Sequence, residues 1–121
     1  MERVIGIGGI FFKARQPDKL AEWYREHLGI EVDTSFGGAI FAPTGDTVWS
    51  PFTESSDYFG SAKPFMINYR VASLQKMLAQ LRGAGVTVDE KTEESEFGRF
   101  GWATDIEGNR FELWEPPPRK G

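Results

Sequence analysis

Glu112 is the residue of this 121-residue chain best placed to do chemistry. It lies in the run Asp105-Ile106-Glu107-Gly108-Asn109-Arg110-Phe111-Glu112-Leu113-Trp114-Glu115, which reads as tight turn, then strand. Asp, Gly and Asn tolerate the backbone angles of a short connection, and polar and apolar residues alternate from Arg110 to Trp114. A carboxylate on such a strand can bind a cation or an amine. If it is desolvated its pKa rises, and it can then serve as a general base. A weaker copy of the motif runs from Gly37 to Pro51; with Gly45 laid on Gly108, Trp49 falls on Glu112. The chain therefore reads as one module written twice, with one acidic group at the repeated position.

Other chemistries lack their residues. There is no cysteine, which rules out disulfides, thiolate metal sites and cysteine nucleophiles and suits a reducing cytoplasm. The single histidine, His27, falls at a helix C-terminus, where the dipole favours it. Gly6-Ile7-Gly8-Gly9 begins like a dinucleotide fingerprint but lacks the third glycine and the following helix. Neither a Walker lysine nor a nucleophile-elbow serine is present. The formal net charge of -4 argues against broad nucleic-acid binding, and no apolar run approaches the roughly 20 residues of a membrane span. The N-terminal residues do not read as a secretory signal.

Several elements must position these groups. Val4 to Ala14 reads as a strand. A helix starts near Pro17, where a missing donor costs least, and carries Leu20, Trp23, Tyr24 and Leu28 to a C-cap at Gly29. Glu31 to Asp33, Ala39 to Ala42 and Thr47 to Phe52 read as short strands. Residues 54–63 are polar and form the connector. In the second half Phe65 to Val71 is a strand. Ser73 then caps a helix with a Leu74, Met77, Leu78, Leu81 stripe. Val86 to Asp89 is a strand, Thr92 to Phe97 a polar loop, and the hairpin closes the chain before a proline-rich tail. Each half is thus β-α-β-β-β: module one about 1–53, module two about 64–116, in one domain of residues 1–121.

The pattern resembles the vicinal-oxygen-chelate superfamily, which includes glyoxalase I, extradiol dioxygenases, methylmalonyl-CoA epimerase, and fosfomycin and bleomycin resistance proteins. The resemblance rests on Trp23-Tyr24 with Leu28-Gly29, on Asn68-Tyr69-Arg70-Val71 with Gly85, and above all on Asp105 to Glu115, although Ile106 stands where a proline is usual. It implies an α+β fold in which two βαβββ modules form a curved mixed sheet around a central cup. Enzymes of the family hold a divalent metal there. Of those ligand positions Glu112 matches, whereas the others fall near Gly9, Met66 and Trp49, none of which suits a hard divalent ion. About three protein ligands are usual for such an ion, so neither a metal nor another cofactor is expected.

Side chains alternate across a strand. With Glu112 facing the cup, Arg110 and Trp114 face it too, while Phe111 and Leu113 pack under the helices. The same rule brings Phe11, Lys13, Trp49, Asn68 and Arg70 to the cup. Phe11, Trp49 and Trp114 suit stacking on a ligand, Arg70 and Lys13 pairing with an anion, and Asn68 orientation. A structural alternative pairs Glu112 with Arg70 or Arg110 across the sheet. The resulting expectation is a cytoplasmic homodimer binding a small organic molecule, like the resistance proteins it resembles. The alternatives are a divalent-metal-dependent lyase, isomerase or dioxygenase using Glu112, and a metal-free enzyme with Glu112 as catalytic base.

Overall fold

A computed structural model describes residues 2–3, 9–42, 45–60 and 62–118. Among the described residues the fold is α+β, with two helices on one face of an open, mixed five-stranded sheet. Helix α1 spans Pro17–Leu28, with proline in the first turn. Gln16 gives it no side-chain cap. Instead the Glu107 carboxylate accepts from Arg15 N (2.8 Å) and Gln16 N (3.0 Å), putting negative charge at the positive end of the helix. These backbone donors hold the Glu107 carboxyl below its ordinary pKa. Gly29, at φ 70°, ends the helix in the left-handed conformation that glycine adopts without strain.

The second half carries the expected strand-helix-strand-strand-strand order with one short strand more, Glu93–Ser95. Strand β1 is Asn68–Arg70, α2 Leu74–Gly83, β2 Thr87–Val88, β3 Glu93–Ser95, β4 Gly98–Thr104 and β5 Arg110–Glu115. The sheet order is β1-β5-β4-β2, with β3 pairing β4 off this path; β1 and β5 are parallel and the other pairs antiparallel. Helix α2 begins at Ser73, whose Oγ accepts from Lys76 N (3.2 Å), and Glu115 accepts from Leu74 N (2.8 Å). Glu107 and Glu115, both from the closing hairpin, thus hold the starts of the two helices.

The core fills the space between helices and sheet. Leu20, Trp23 and Tyr24 of α1 and Leu74, Leu78 and Leu81 of α2 meet Ala103, Phe111 and Leu113. Phe111 and Leu113 are fully buried, each stabilising the fold by roughly 1.5–3 kcal/mol. The turn after β4 joins this core to α1. Asp105, itself buried, accepts from Glu107 N (2.9 Å) and Asn109 N (3.0 Å) through Oδ1, and from Tyr24 Oη (2.8 Å) and Asn109 Nδ2 (2.8 Å) through Oδ2.

The first half departs from the expected strands. Among the described residues, none of residues 9–66 belongs to a named strand; a single antiparallel bridge joins Asp33 and Gly38. Residues 9–14 of the first expected strand join no strand pair, and its residues 4–8 lie outside the described residues. Ala39 to Ala42 and Thr47 to Phe52 are likewise unpaired. A strand draws its stability from cross-strand neighbours and a buried face. These segments have neither, for Ile40, Phe41 and Val48 are exposed. In the second half Phe65 to Val71 shortens to β1, and the expected loop Thr92 to Phe97 contains β3, because Glu93 to Ser95 finds a partner in Gly98 to Phe100. No helix among the described residues is long and apolar enough to cross a membrane.

Candidate functional site

Glu112 lies on β5 between two core residues, so alternation turns it to the face away from the helices. Register decides its neighbours. Asn68 of β1 and Trp102 of β4 are both paired with Glu112, and directly opposed side chains share a face. Asn68 Nδ2 donates to Glu112 Oε1 at 2.8 Å, and Trp102 Nε1 donates to Oε2 at 3.1 Å. A third donor comes from the connector: Tyr58 Oη donates to Oε2 at 2.7 Å. The carboxylate is 7% exposed and its described partners are neutral. A buried carboxylate is costly unless hydrogen-bonded, and a hydrogen bond to a charged group is worth about 1.5–3 kcal/mol net.

Glu112 is therefore not half of an ion pair with either arginine. Arg110 pairs with Asp89 (Nη2 to Oδ2, 2.8 Å), donates to the Tyr58 carbonyl (2.9 Å) and lies 5.1 Å from the Trp102 ring centroid. Arg70 donates to the Asp46 carbonyl. Trp114 donates through Nε1 to the Phe97 carbonyl (2.8 Å), and its ring runs parallel to that of Phe100, 7° apart in plane with centroids 6.2 Å apart. Asn68, Arg110, Glu112 and Trp114 are thus gathered on one face with Trp102 and Phe100. Arg70 stands at its β1 edge, paired in register with Trp114. Phe11 and Trp49 are 95% and 77% exposed, and Lys13 is exposed, so these three are not brought against Glu112. His27 packs on the Trp23 ring in the last turn of α1, within the helix layer.

The sequence pattern alone does not single out Tyr58 or Trp102. Trp102 carries a usable signal, since it lies opposite Glu112 once the hairpin turn is centred on Glu107. Tyr58 carries only a faint one, an aromatic pair with Phe59 ahead of Gly60 in a polar connector. The tyrosine ring stands edge-on to Trp102 (centroids 6.0 Å, 81°) and 5.5 Å from Phe52. Gly60, at φ 64°, lets the connector cross Arg110, whose Cδ would lie 2.9 Å from an added Cβ. Burial first, then the Glu112 carboxylate, pushes the Tyr58 hydroxyl above its ordinary pKa. Among the described residues no three His, Cys, Asp or Glu side chains converge.

The helix-backed mixed sheet, with a carboxylate on its last strand, defines a glyoxalase-like fold. Residues 9–114 match the model of the glyoxalase-like domain, and the chain belongs to that family. Among solved structures it is similar to TnmS3, an antibiotic binding protein from Streptomyces sp. CB03234, at TM-score 0.50 and 19% identity, covering 82% of this chain and 85% of that one. It is also similar to the oxidase ChaP-H2, at TM-score 0.47 and 18% identity, covering 86% and 87%. No curated protein matches the sequence.

Proposed function

We propose that this protein binds a small organic molecule on the Glu112 face and does so without a metal ion. One observation carries the reading: the family's acidic position is retained, but both of its carboxylate oxygens are engaged by neutral donors, Asn68 on Oε1 and Tyr58 and Trp102 on Oε2. The other family ligand positions offer Gly9, Met66 and Trp49. A catalytic divalent site usually takes about three protein ligands, so this donor set does not fit one. Trp102, Trp114 and Phe100 with Asn68 and Arg110 make the mixed aromatic and polar surface that a small-molecule site uses. That TnmS3 binds an antibiotic agrees with the reading. The protein works in the cytoplasm, which its cysteine-free sequence suits. It acts as a homodimer, in which a second copy covers the exposed Phe11, Ile40, Phe41, Val48 and Trp49.

Elemental mass spectrometry on protein purified without chelators or affinity metals, followed by titration with Zn, Fe, Ni and Mn, tests the metal. Stoichiometric metal that is lost in Glu112→Gln would overturn the reading and make the lyase and dioxygenase chemistries the ones to assay. A thermal-shift panel of aromatic and carboxylate compounds tests binding, and sedimentation equilibrium tests the dimer.

A further inference from the structure

We propose that Tyr58 is a displaceable stand-in for the ligand, and that the ligand class is a neutral hydroxyaromatic molecule that donates its hydroxyl to Glu112. This deepens the small-molecule reading of the Glu112 face and rests on it.

Tyr58 presents a phenol to this face in a complete binding pose. Its hydroxyl donates to Glu112 Oε2 at 2.7 Å, its ring edge meets Trp102, and Phe52 lies on another side at 5.5 Å. The other two donors to Glu112 are fixed, because Asn68 and Trp102 sit on β1 and β4. Tyr58 belongs to a connector of turns with no strand or helix between residues 45 and 60. Local bonds shape that connector: Tyr58 N donates to Ser56 Oγ (3.2 Å) and Gly60 N to Asp57 O (3.0 Å). Across to the sheet run the bonds from Arg110 to the Tyr58 carbonyl and from Arg70 to the Asp46 carbonyl, the Tyr58 hydroxyl bond and the ring contact with Trp102. Segments tied by so few bonds open at a small fraction of the cost of global unfolding.

When Tyr58 leaves, Glu112 Oε2 keeps Trp102 but loses its shorter bond, so a buried acceptor is left only partly satisfied. A phenol restores that bond and the edge contact with Trp102 together. A carboxylate or phosphate meets a buried negative charge instead, with the nearby Arg110 already paired to Asp89. The raised pKa of the Tyr58 hydroxyl agrees with a site that holds phenols in the neutral form.

The experiment is fluorescence and calorimetric titration with 2-naphthol, using 2-methoxynaphthalene, 2-naphthoate and 2-naphthylammonium as controls, on wild type, Tyr58→Phe and Glu112→Gln. Tyr58→Phe keeps the ring and deletes only the competing hydroxyl, so 2-naphthol should bind it about tenfold more tightly than wild type. The methoxy analogue should bind more weakly than 2-naphthol by a similar factor, and Glu112→Gln should shrink the difference. If Glu112→Gln does not fold, the hydroxyl and methoxy pair on Tyr58→Phe decides alone. Unchanged or weaker 2-naphthol binding in Tyr58→Phe would make Tyr58 a wall of the site and overturn the proposal while leaving the small-molecule reading intact. Preference for the carboxylate or the ammonium would overturn the ligand class. Failure of every probe, and of the thermal-shift panel, to bind either protein would overturn both.

Discussion

The bond from Tyr24 to Asp105 joins α1 to the closing hairpin, and its removal is a sharp test of how the two halves are held together. The hydroxyl donates to Asp105 Oδ2 at 2.8 Å across 81 residues of chain, and both side chains are buried. A hydrogen bond to a charged acceptor is worth about 1.5–3 kcal/mol net. Oδ2 also receives Asn109 Nδ2 at 2.8 Å, so Tyr24→Phe leaves the carboxylate partly served and should cost near the lower end, about 1.5 kcal/mol. Asp105→Ala is harsher. It orphans the Tyr24 hydroxyl together with the backbone N–H groups of Glu107 and Asn109, bound at 2.9 and 3.0 Å. About 1–3 kcal/mol for each donor left inside, less where water reaches the turn, gives about 3–5 kcal/mol. That is a large part of the roughly 5–15 kcal/mol that stabilises a domain. Urea denaturation of wild type, both single variants and the double variant closes the cycle. The expected coupling between the two positions is about 1–2 kcal/mol. Coupling below about 0.3 kcal/mol, the error expected for independent sites, would refute the claim that this bond ties α1 to the hairpin.

The three tyrosines of the chain, Tyr24, Tyr58 and Tyr69, are all raised above the ordinary phenol value, each chiefly by burial, Tyr69 to about 12. A raised native pKa means that the unfolded chain releases the proton first. Stability is therefore intact below about pH 10 and falls as pH rises towards the native values, by about 1.4 kcal/mol per pH unit for each buried tyrosine and less for half-exposed Tyr58. Absorbance at 295 nm should show phenolate appearing together with unfolding; free titration of all three near pH 10 would contradict the burial. Glu107→Gln should speed amide exchange in the first turn of α1. Because the Glu107 carboxyl is held below its ordinary value, its stabilising effect is present above about pH 4.3 and lost as pH falls through the native value. Acid titration of the variant should lack that component. Gly98→Ala should cost about 3 kcal/mol or more, since φ is 116° and an added Cβ would lie 2.3 Å from the Glu115 carbonyl. Gly108→Ala, at φ 81° with open space around it, should cost only about 1–2 kcal/mol. Thermal melts of the two variants decide whether the difference holds.

Local chemistry made much of the second half legible. Ser73, the Leu74 to Leu81 stripe and the Asp105 to Asn109 turn each act within a few residues, and helix propensity, capping and turn preferences operate over that range. Alternation along β5 likewise separated Glu112 from the core pair Phe111 and Leu113. The repeat was legible in part: Gly45 and Gly108 both have positive φ, 95° and 81°, although only the second lies between paired strands.

By itself the sequence determined the two helices, the closing hairpin and the face on which Glu112 stands, because those follow from periodicity and turn chemistry along one stretch of chain. Only the tertiary structure decided the partners of that carboxylate. Asn68 reaches it through a parallel register set 44 residues away, and Tyr58 through a connector 54 residues away whose composition reads as solvent. It also decided that Glu107 and Glu115 hold the helix starts and that Arg110 turns to Asp89 rather than to Glu112. Such contacts depend on which distant backbone supplies the nearest donor, and no local pattern encodes that distance.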